Sequence, residues 1–439
     1  MPFTKYAHYY STQKARIHRL SREAAWIVAG QVASVLGALV LVRVLTEYLQ
    51  PAEYGELALG LTIAGLVNQV VMGGISNGIG RYYSIASEKK QLPSYLRASF
   101  KLLFYSTLVV IAIAALLTGG LVALDQSQWI NLALIVLLFS IVGGYNGVLN
   151  GIQNAARQRA VVALHSGFDA WLKIAFAVGI ILWFGVSSAA VILGYFLSAL
   201  LITASQLFFL KYLMRKASPS SAEGDSHEPW AHLIWTFSWP FSAWGIFTWM
   251  YQVSDRWALQ SFATKADIGQ YTAVFQLGYA PVGLVTGMML TLIAPILYKR
   301  SGDAKDRVRN QSAHQALWKI IRLGLLVTAI AFLGSAIFHN SLFSFLVAKD
   351  YQSVSYLLPW VVLAGGLFSV GQTLSLRLMF ENKTNRLLNV KVTTALLGIL
   401  ANLFGAYFLG IEGVVAALLF YSIIFFLWNL AIAKSADYD

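Results

Sequence analysis

His165, Asp169 and Lys173 stand four residues apart in HSGFDAWLK (165–173), inside a stretch otherwise made mostly of Ala, Val, Leu, Ile and Phe. On a helix this spacing puts all three side chains on one face. The chemistry available to such a stripe is ionic. An ammonium attracts an anion, a carboxylate exchanges a proton or a cation such as Na+, and an imidazole titrates near neutrality. A charge at the centre of a membrane-spanning helix costs about 2.5–3.5 kcal/mol on insertion scales, so it persists where it meets a wet cleft or a partner. Two readings stand. In one, Asp169 and Lys173 neutralise each other while holding helices together. In the other, Lys173 receives an anionic group and Asp169 or His165 couples to an ion.

Three arginines pose the same choice. Arg43 and Arg256 lie 12 and 13 residues before Gly55 and Gly269. Guanidinium groups suit phosphate oxygens because they bind them bidentately; the competing reading is snorkelling to an interface. Arg377 lies four before Glu381, which makes an interfacial ion pair the competing reading there. The stretch WAHLIWTFSWPFSAWGIFTWMYQ (230–252) is rich in Trp. Trp239 and Trp244 can stack on apolar sugar faces or pack against lipid. Asn68, with Gln69 beside it, can bind hydroxyls or bridge helices. Pro240 removes a backbone hydrogen bond near mid-segment and predicts a kink that could serve as a gate hinge, and Pro281 acts similarly.

What positions these groups follows from composition. The chain has 439 residues, of which 58% are hydrophobic and 12% charged, and a mean hydropathy of +0.64. A soluble chain of this length needs more polar surface. The apolar runs are about 19–25 residues long, enough to cross about 30 Å of hydrocarbon as helix. The expected fold is an all-α integral membrane protein; a spanning barrel would show short alternating strands. There is no cysteine, so disulfides, thiolate metal sites and thiol catalysis are excluded. No metal or other cofactor is expected beyond H+ or Na+ coupling. The N-terminus has no cleavable-signal pattern, and no nucleotide-loop or metalloprotease motif appears in a supporting context.

About twelve spans are expected, near 24–46, 55–80, 99–123, 130–151, 160–184, 189–211, 231–256, 268–297, 318–338, 355–380, 387–409 and 413–433. An even number puts both termini on one side. Of the 32 Lys and Arg, 27 lie in the N-terminal arm, 81–101, 153–160, 211–230, 298–322, 377–391 and the C-terminal tail. By the positive-inside rule that face, with both termini, is cytoplasmic. The net charge of +13 therefore reflects topology and lipid headgroups rather than nucleic acid. The expected organisation is a basic arm (1–23), a six-helix lobe (24–212), a Ser/Pro/Gly-rich linker (213–230), a second six-helix lobe (231–433) and a short tail (434–439). The halves repeat. PAEYGELALG (51–60) and KADIGQYTAV (265–274) share Ala, acid, any residue, Gly, 214 positions apart, and GVSSAAVILGY (185–195) pairs with GIEGVVAALLFY (410–421). With six spans per unit, the second copy enters from the same side, a parallel pseudo-twofold repeat about the membrane normal.

The stretch LVLVRVLTEYLQPAEYGELALGL (39–61) resembles the opening of Wzx-type bacterial polysaccharide-export flippases, and GIEGVVAAL (410–418) is similar to that family's last-loop pattern. The resemblance implies the multidrug/oligosaccharidyl-lipid/polysaccharide superfamily fold. It implies translocation of an undecaprenyl-diphosphate-linked oligosaccharide to the outer leaflet of the bacterial cytoplasmic membrane for surface polysaccharide assembly. Polysaccharide polymerase and chain-length proteins are the implied partners. Arg43, Arg256, Lys173, Arg377, Asn68, Trp239 and Trp244 would then bind the headgroup, Asp169 and His165 would couple to an ion, and Pro240 and Pro281 would be hinges. Three rival readings remain. A cation-coupled exporter of small organic compounds from the same superfamily predicts an acidic cleft. A membrane glycan polymerase or glycosyltransferase needs a larger outer loop than DQSQW (125–129) or GVSS (185–188). A major-facilitator sugar carrier needs a Gly/Asp/Arg-rich loop that GIGRYYSIASEKK (78–90) does not supply.

Overall fold

In the computed structural model, residues 3–216, 228–301, 307–380 and 384–435 are described, and most of the expected C-terminal tail and of the linker lies outside them. Thirteen α-helices occupy these residues, and no strand occurs among them. The first half contains α1 (Phe3–Tyr48), α2 (Pro51–Leu66), α3 (Gly73–Glu88), α4 (Leu92–Ala123), α5 (Ile130–Ala155), α6 (Arg159–Phe184) and α7 (Ser188–Lys216). The second contains α8 (Trp230–Phe262), α9 (Lys265–Gly278), α10 (Ala280–Ser301), α11 (Arg307–Leu346), α12 (Leu358–Phe380) and α13 (Thr384–Ser435). Helices α2 and α3 form one rod, joined by a π-helical segment at Val67–Met72. Helix α13 is two legs folded at Gly410 (φ 57°). Helices α9 and α10 are two pieces of one leg, interrupted at Tyr279. Six legs per half result.

Nine segments among the described residues are long and apolar enough to cross a membrane by length and composition, and the ninth, Val390–Lys434, holds both legs of α13. The remaining two legs are α8, whose Trp, Ser and Thr lower its hydropathy, and the interrupted α9–α10. The basic arm is continuous with the first span, because no Pro or Gly occurs between Phe3 and Gly30 to stop the helix. Its apolar part begins at Ala25.

The repeated tetrad has a structural meaning. Its acid is the third residue of a helix in each copy. The Gln50 amide N–H donates to Glu53 Oε2 at 3.1 Å, and the Thr264 amide donates to Asp267 Oδ2 at 2.8 Å while Asp267 N–H donates to Thr264 Oγ1 at 3.2 Å. Both helices therefore start at a capping box. Its glycine is the point where α2 and α9 cross. A Cβ on Gly269 would overlap the Pro51 carbonyl, and one on Gly55 would overlap the Lys265 carbonyl. The second repeated motif supplies a corner glycine with positive φ in each half, Gly185 (φ 90°) and Gly410 (φ 57°), a conformation that costs glycine nothing sterically.

The two ends of the molecule differ. At the far end, opposite the termini, one apolar core runs through both halves: Leu45, Leu49 and Leu57 pack in the same cluster as Ile268, Tyr271 and Tyr351. At the termini end the cores are separate. One surrounds Ile79, Tyr95 and Leu149 of the first half, and another Leu317, Ile321 and Leu374 of the second. Helix α8 bridges them. Its first turns, with Trp230 and Ile234, belong to the first-half core, where Ser238 and Ser242 lie against Gly78 and Gly74 of α3. Its last turns, with Ala258 and Leu259, join the shared far-end core.

Candidate functional site

Between the halves lies a cavity of about 840 Å3. The first half contributes the outer part of α1, the length of α2, Lys173 of α6 and Tyr195 of α7. The second contributes Trp249 to Arg256 of α8, the α9–α10 leg around its interruption, Gln372 of α12 and Asn402 of α13.

The far-end wall is closed by contacts between halves. Beyond the glycine crossing, Lys265 Nζ pairs with Glu56 Oε1 at 2.7 Å. The Ala348 amide donates to Thr46 Oγ1 at 3.1 Å, and the Tyr351 hydroxyl donates to the Leu49 carbonyl at 2.8 Å. The indole of Trp249 donates to the Thr62 carbonyl at 2.7 Å, and that of Trp257 donates to Thr62 Oγ1 at 3.0 Å. Thr62 is thus gripped twice by α8.

The cavity holds one cation from each half, and each is paired. Lys173 lies 2.6 Å from Asp169 Oδ2, and its ammonium is 5.9 Å from the Tyr195 ring centroid. Arg256 lies over the Phe275 ring at 4.8 Å, with Nη1 3.4 Å from Asp255 Oδ1. Asp255 is only 4% exposed and accepts the Tyr271 hydroxyl at 2.6 Å and the Arg256 amide at 2.7 Å. These donors stand in for the water that the buried carboxylate has lost. The two cations are therefore balanced by two carboxylates, and the cavity is not the net-basic surface that the charge inventory of the spans suggests.

The predicted stripe on α6 divides. Lys173 lines the cavity and Asp169 holds it from behind, also accepting Ser198 Oγ at 3.1 Å. His165 does not reach the cavity. It is buried between α6 and α7, with Nε2 3.0 Å from Ser205 Oγ and its ring edge-on to Phe209. Eight residues of helix rotate and rise enough to carry the two ends of the stripe to different neighbours.

Arg43 points elsewhere too. Leu41, Val42 and Leu45 of α1 line the cavity, whereas Arg43 is 41% exposed and pairs with Glu47 at 3.1 Å. Among the described residues, the cations that line the cavity from the two halves are therefore Lys173 and Arg256, not Arg43 and Arg256. Arg377 is buried on α12 beside the termini-end core, away from the cavity lining; Glu381, its expected partner, lies outside the described residues. Asn68 sits on the π-helical segment against Gly143 and Gly144 of α5, and its neighbour Gln69 takes the cavity position. Trp239 is 53% exposed and Trp244 is half-buried, both outside the lining. Trp249, ten and five residues further along α8, is the indole in the cavity. Pro240 lies inside α8, which continues through it. The interruption of the next leg falls at Tyr279, two residues before Pro281.

Sequence reasoning passed over Asp255 as a mere neighbour of Arg256, and over Gln252, Gln276 and Gln372 altogether. The signal was present. Lone amides in apolar spans carry a desolvation cost, and Gln252 and Arg256 share a helix face by spacing.

Two lobes of six legs around a central cavity, at membrane-spanning length, define a multi-pass transporter fold. The chain resembles solved structures over nearly its whole length. One is lipid II flippase MurJ in an inward closed conformation (TM-score 0.69, 15% identity, 93% of this chain and 87% of that one). Another is a multidrug resistance MATE transporter of the MOP superfamily in an inward-facing conformation (TM-score 0.63, 15% identity, 92% and 95%). A third is a mutant of the Vibrio cholerae MATE transporter VcmN (TM-score 0.63, 15% identity, 97% and 98%). At this identity the likeness is one of fold. No curated protein matches the chain in sequence. Residues 20–301 match the family described as polysaccharide biosynthesis protein, and the chain belongs to that family.

Proposed function

We propose that this protein is a flippase that moves an undecaprenyl-diphosphate-linked oligosaccharide from the inner to the outer leaflet of the bacterial cytoplasmic membrane by alternating access. The observation that carries this reading is the cavity between the halves, lined by Lys173 from one half and Arg256 from the other. Phosphate oxygens replace the carboxylates as their partners, bidentately at Arg256. Both termini face the cytoplasm, by the concentration of Lys and Arg in the segments on their side, so the sealed far end faces outward. The prenyl tail stays in lipid while the headgroup enters from the termini side. The halves then part at the far end and release it. An inside-negative potential favours outward passage of an anion by about 2.3 kcal/mol per charge per 100 mV. The carboxylates freed from Lys173 and Arg256 are the groups at which H+ or Na+ couples to the return step. The flipped lipid passes to a polysaccharide polymerase and chain-length proteins.

The test is flipping of an undecaprenyl-diphosphate-linked disaccharide in liposomes. Lys173→Ala and Arg256→Ala each slow it by about tenfold or more, the effect of losing one charge-assisted contact of about 1.5–3 kcal/mol; unchanged rates in both variants remove the reading. One observation favours a second reading, cation-coupled export of small organic compounds. Asp255 is a buried carboxylate at the cavity wall, anchored by Tyr271. Uptake of an organic cation into inverted vesicles, lost in Asp255→Asn while lipid flipping persists, would select it.

A further inference from the structure

The cavity's uncharged polar groups suggest what part of a headgroup it reads. Four glutamines, Gln69, Gln252, Gln276 and Gln372, line it, and none of their side chains has a hydrogen-bond partner in the protein among the described residues. Elsewhere in the helices some amides donate within the protein, Gln206 to Asn146 and Asn150, Asn402 to Ser254, and Asn429 to the Phe425 carbonyl, while the buried Gln153 side chain and the Gln206 and Asn402 side-chain oxygens have no protein partner. The four glutamines differ in opening together onto one cavity. A primary amide offers two donors and an acceptor with two lone pairs. Leaving four of them without partners in a membrane-spanning protein is costly unless water or a ligand completes them.

The rings interleaved with them point to the ligand's other surface. Tyr54, Phe139, Trp249, Phe275 and Phe368 line the same cavity. Amides beside aromatic faces match a hydroxyl-rich ring, which has hydrogen-bonding edges and apolar faces. Spacing adds an order. Gln252 lies one turn before Arg256 on α8, and Gln276 lies one residue after Phe275, the ring that carries the Arg256 guanidinium. A group bound at Arg256 therefore has the Gln252 amide one helical turn away on the same face, with Gln276 lining the same cavity.

The charges decide which hydroxyl-rich rings fit. With both cations engaged by a diphosphate, Asp255 at the cavity wall and Asp169 behind Lys173 remain without their ionic partners. A carboxylate on an adjacent sugar would meet like charge in a site of low dielectric. The volume, about 840 Å3, sits in the range of about 300–1,000 Å3 typical of small-ligand sites, enough for a few rings and not for a long glycan.

We infer that the glutamines select uncharged, hydroxyl-rich sugars next to the diphosphate, with Gln252, Gln276 and Gln372 as the specificity-determining residues. This rests on the flippase reading above and names its substrate class. The experiment uses the full chain in liposomes with three undecaprenyl-diphosphate probes. One carries no sugar, one a neutral N-acetylhexosamine–hexose disaccharide, and one the same disaccharide ending in a hexuronate. The wild type moves the neutral probe about tenfold faster than the hexuronate probe, the discrimination of one unfavourable charge contact of about 1.4 kcal/mol. In Gln276→Leu and in Gln372→Leu, the rate for the neutral disaccharide relative to the sugar-free probe falls about tenfold, as loss of a hydrogen-bonded contact predicts. Using this ratio separates specificity from folding. Equal rates for neutral and hexuronate probes, or an unchanged ratio in both variants, overturns the inference and leaves the flippase reading intact. Failure of all three probes to move overturns both.

Discussion

At the residue scale, the cavity is built from ion pairs whose members lie close along one helix: Lys173 with Asp169, and Arg256 with Asp255. Such pairs hold a cation in place before any ligand arrives, and a ligand that replaces the carboxylate inherits an oriented site. Tyr271 is the anchor of the second pair. Removing its hydroxyl takes a 2.6 Å donor from a carboxylate that is 4% exposed. Tyr271→Phe should therefore lower the unfolding temperature in detergent, with a cost of about 1.5–3 kcal/mol for a hydrogen bond to a charged group; an unchanged temperature would mean Asp255 is held by its other contacts. Arg43 makes the opposite case. Its pair with Glu47 is 41% and 59% exposed, and exposed pairs contribute little. Arg43→Ala should leave both the unfolding temperature and lipid flipping within error of wild type, whereas Arg256→Ala does not.

At the element scale, the repeated tetrad explains itself through geometry. The acid caps α2 in one half and α9 in the other, and two residues later a glycine lets these helices cross backbone to backbone. Among the described residues, this crossing lies at the centre of the contacts that close the far end. A methyl group at Gly55 overlaps the Lys265 carbonyl, so the helices must separate to admit it. The absence of natural cysteine makes the consequence measurable. With a reporter introduced by Gln276→Cys, Gly55→Ala should raise its labelling by a membrane-impermeant maleimide from the far side. Labelling equal to that of the reporter alone would show that the crossing is not what seals the cavity. Sequence reasoning recognised the motif as a repeat; its job at the interface appears only when both copies are placed against each other.

At the scale of the whole molecule, the two ends are packed differently. One core joins the halves at the far end, and separate cores serve them at the termini end, with α8 crossing from one half to the other. Rocking about such an arrangement has to break the far-end contacts, among them the Ala348 amide on Thr46 Oγ1 at 3.1 Å. A disulfide formed in the Thr46→Cys, Ala348→Cys double variant should stop flipping, and a reductant should restore it. Transport that continues through the oxidised protein would mean the halves do not separate there. Resemblance in fold to a solved structure at only 15% identity is consistent with an architecture that depends on length, apolarity and small residues at crossings, which many sequences satisfy.

The membrane class, the count of legs and the relation between the halves were readable along the chain, because they depend on the length of apolar runs, the placement of basic residues and the recurrence of short motifs, all of which are one-dimensional. Helix ends were readable only to within several residues; α8 runs six past its expected end, to Phe262, because no breaker precedes Ala263. Which polar side chains share a cavity was a different kind of question. It depends on the rotation of each helix about its axis and on how two halves face each other. A shift of one residue turns a side chain through about 100°, which is why Gln69 stands in the cavity and Asn68 does not, and why Arg256 and Lys173 line it while Arg43 does not. Contacts between residues some 200 positions apart set those angles, and no local pattern in the chain encodes them.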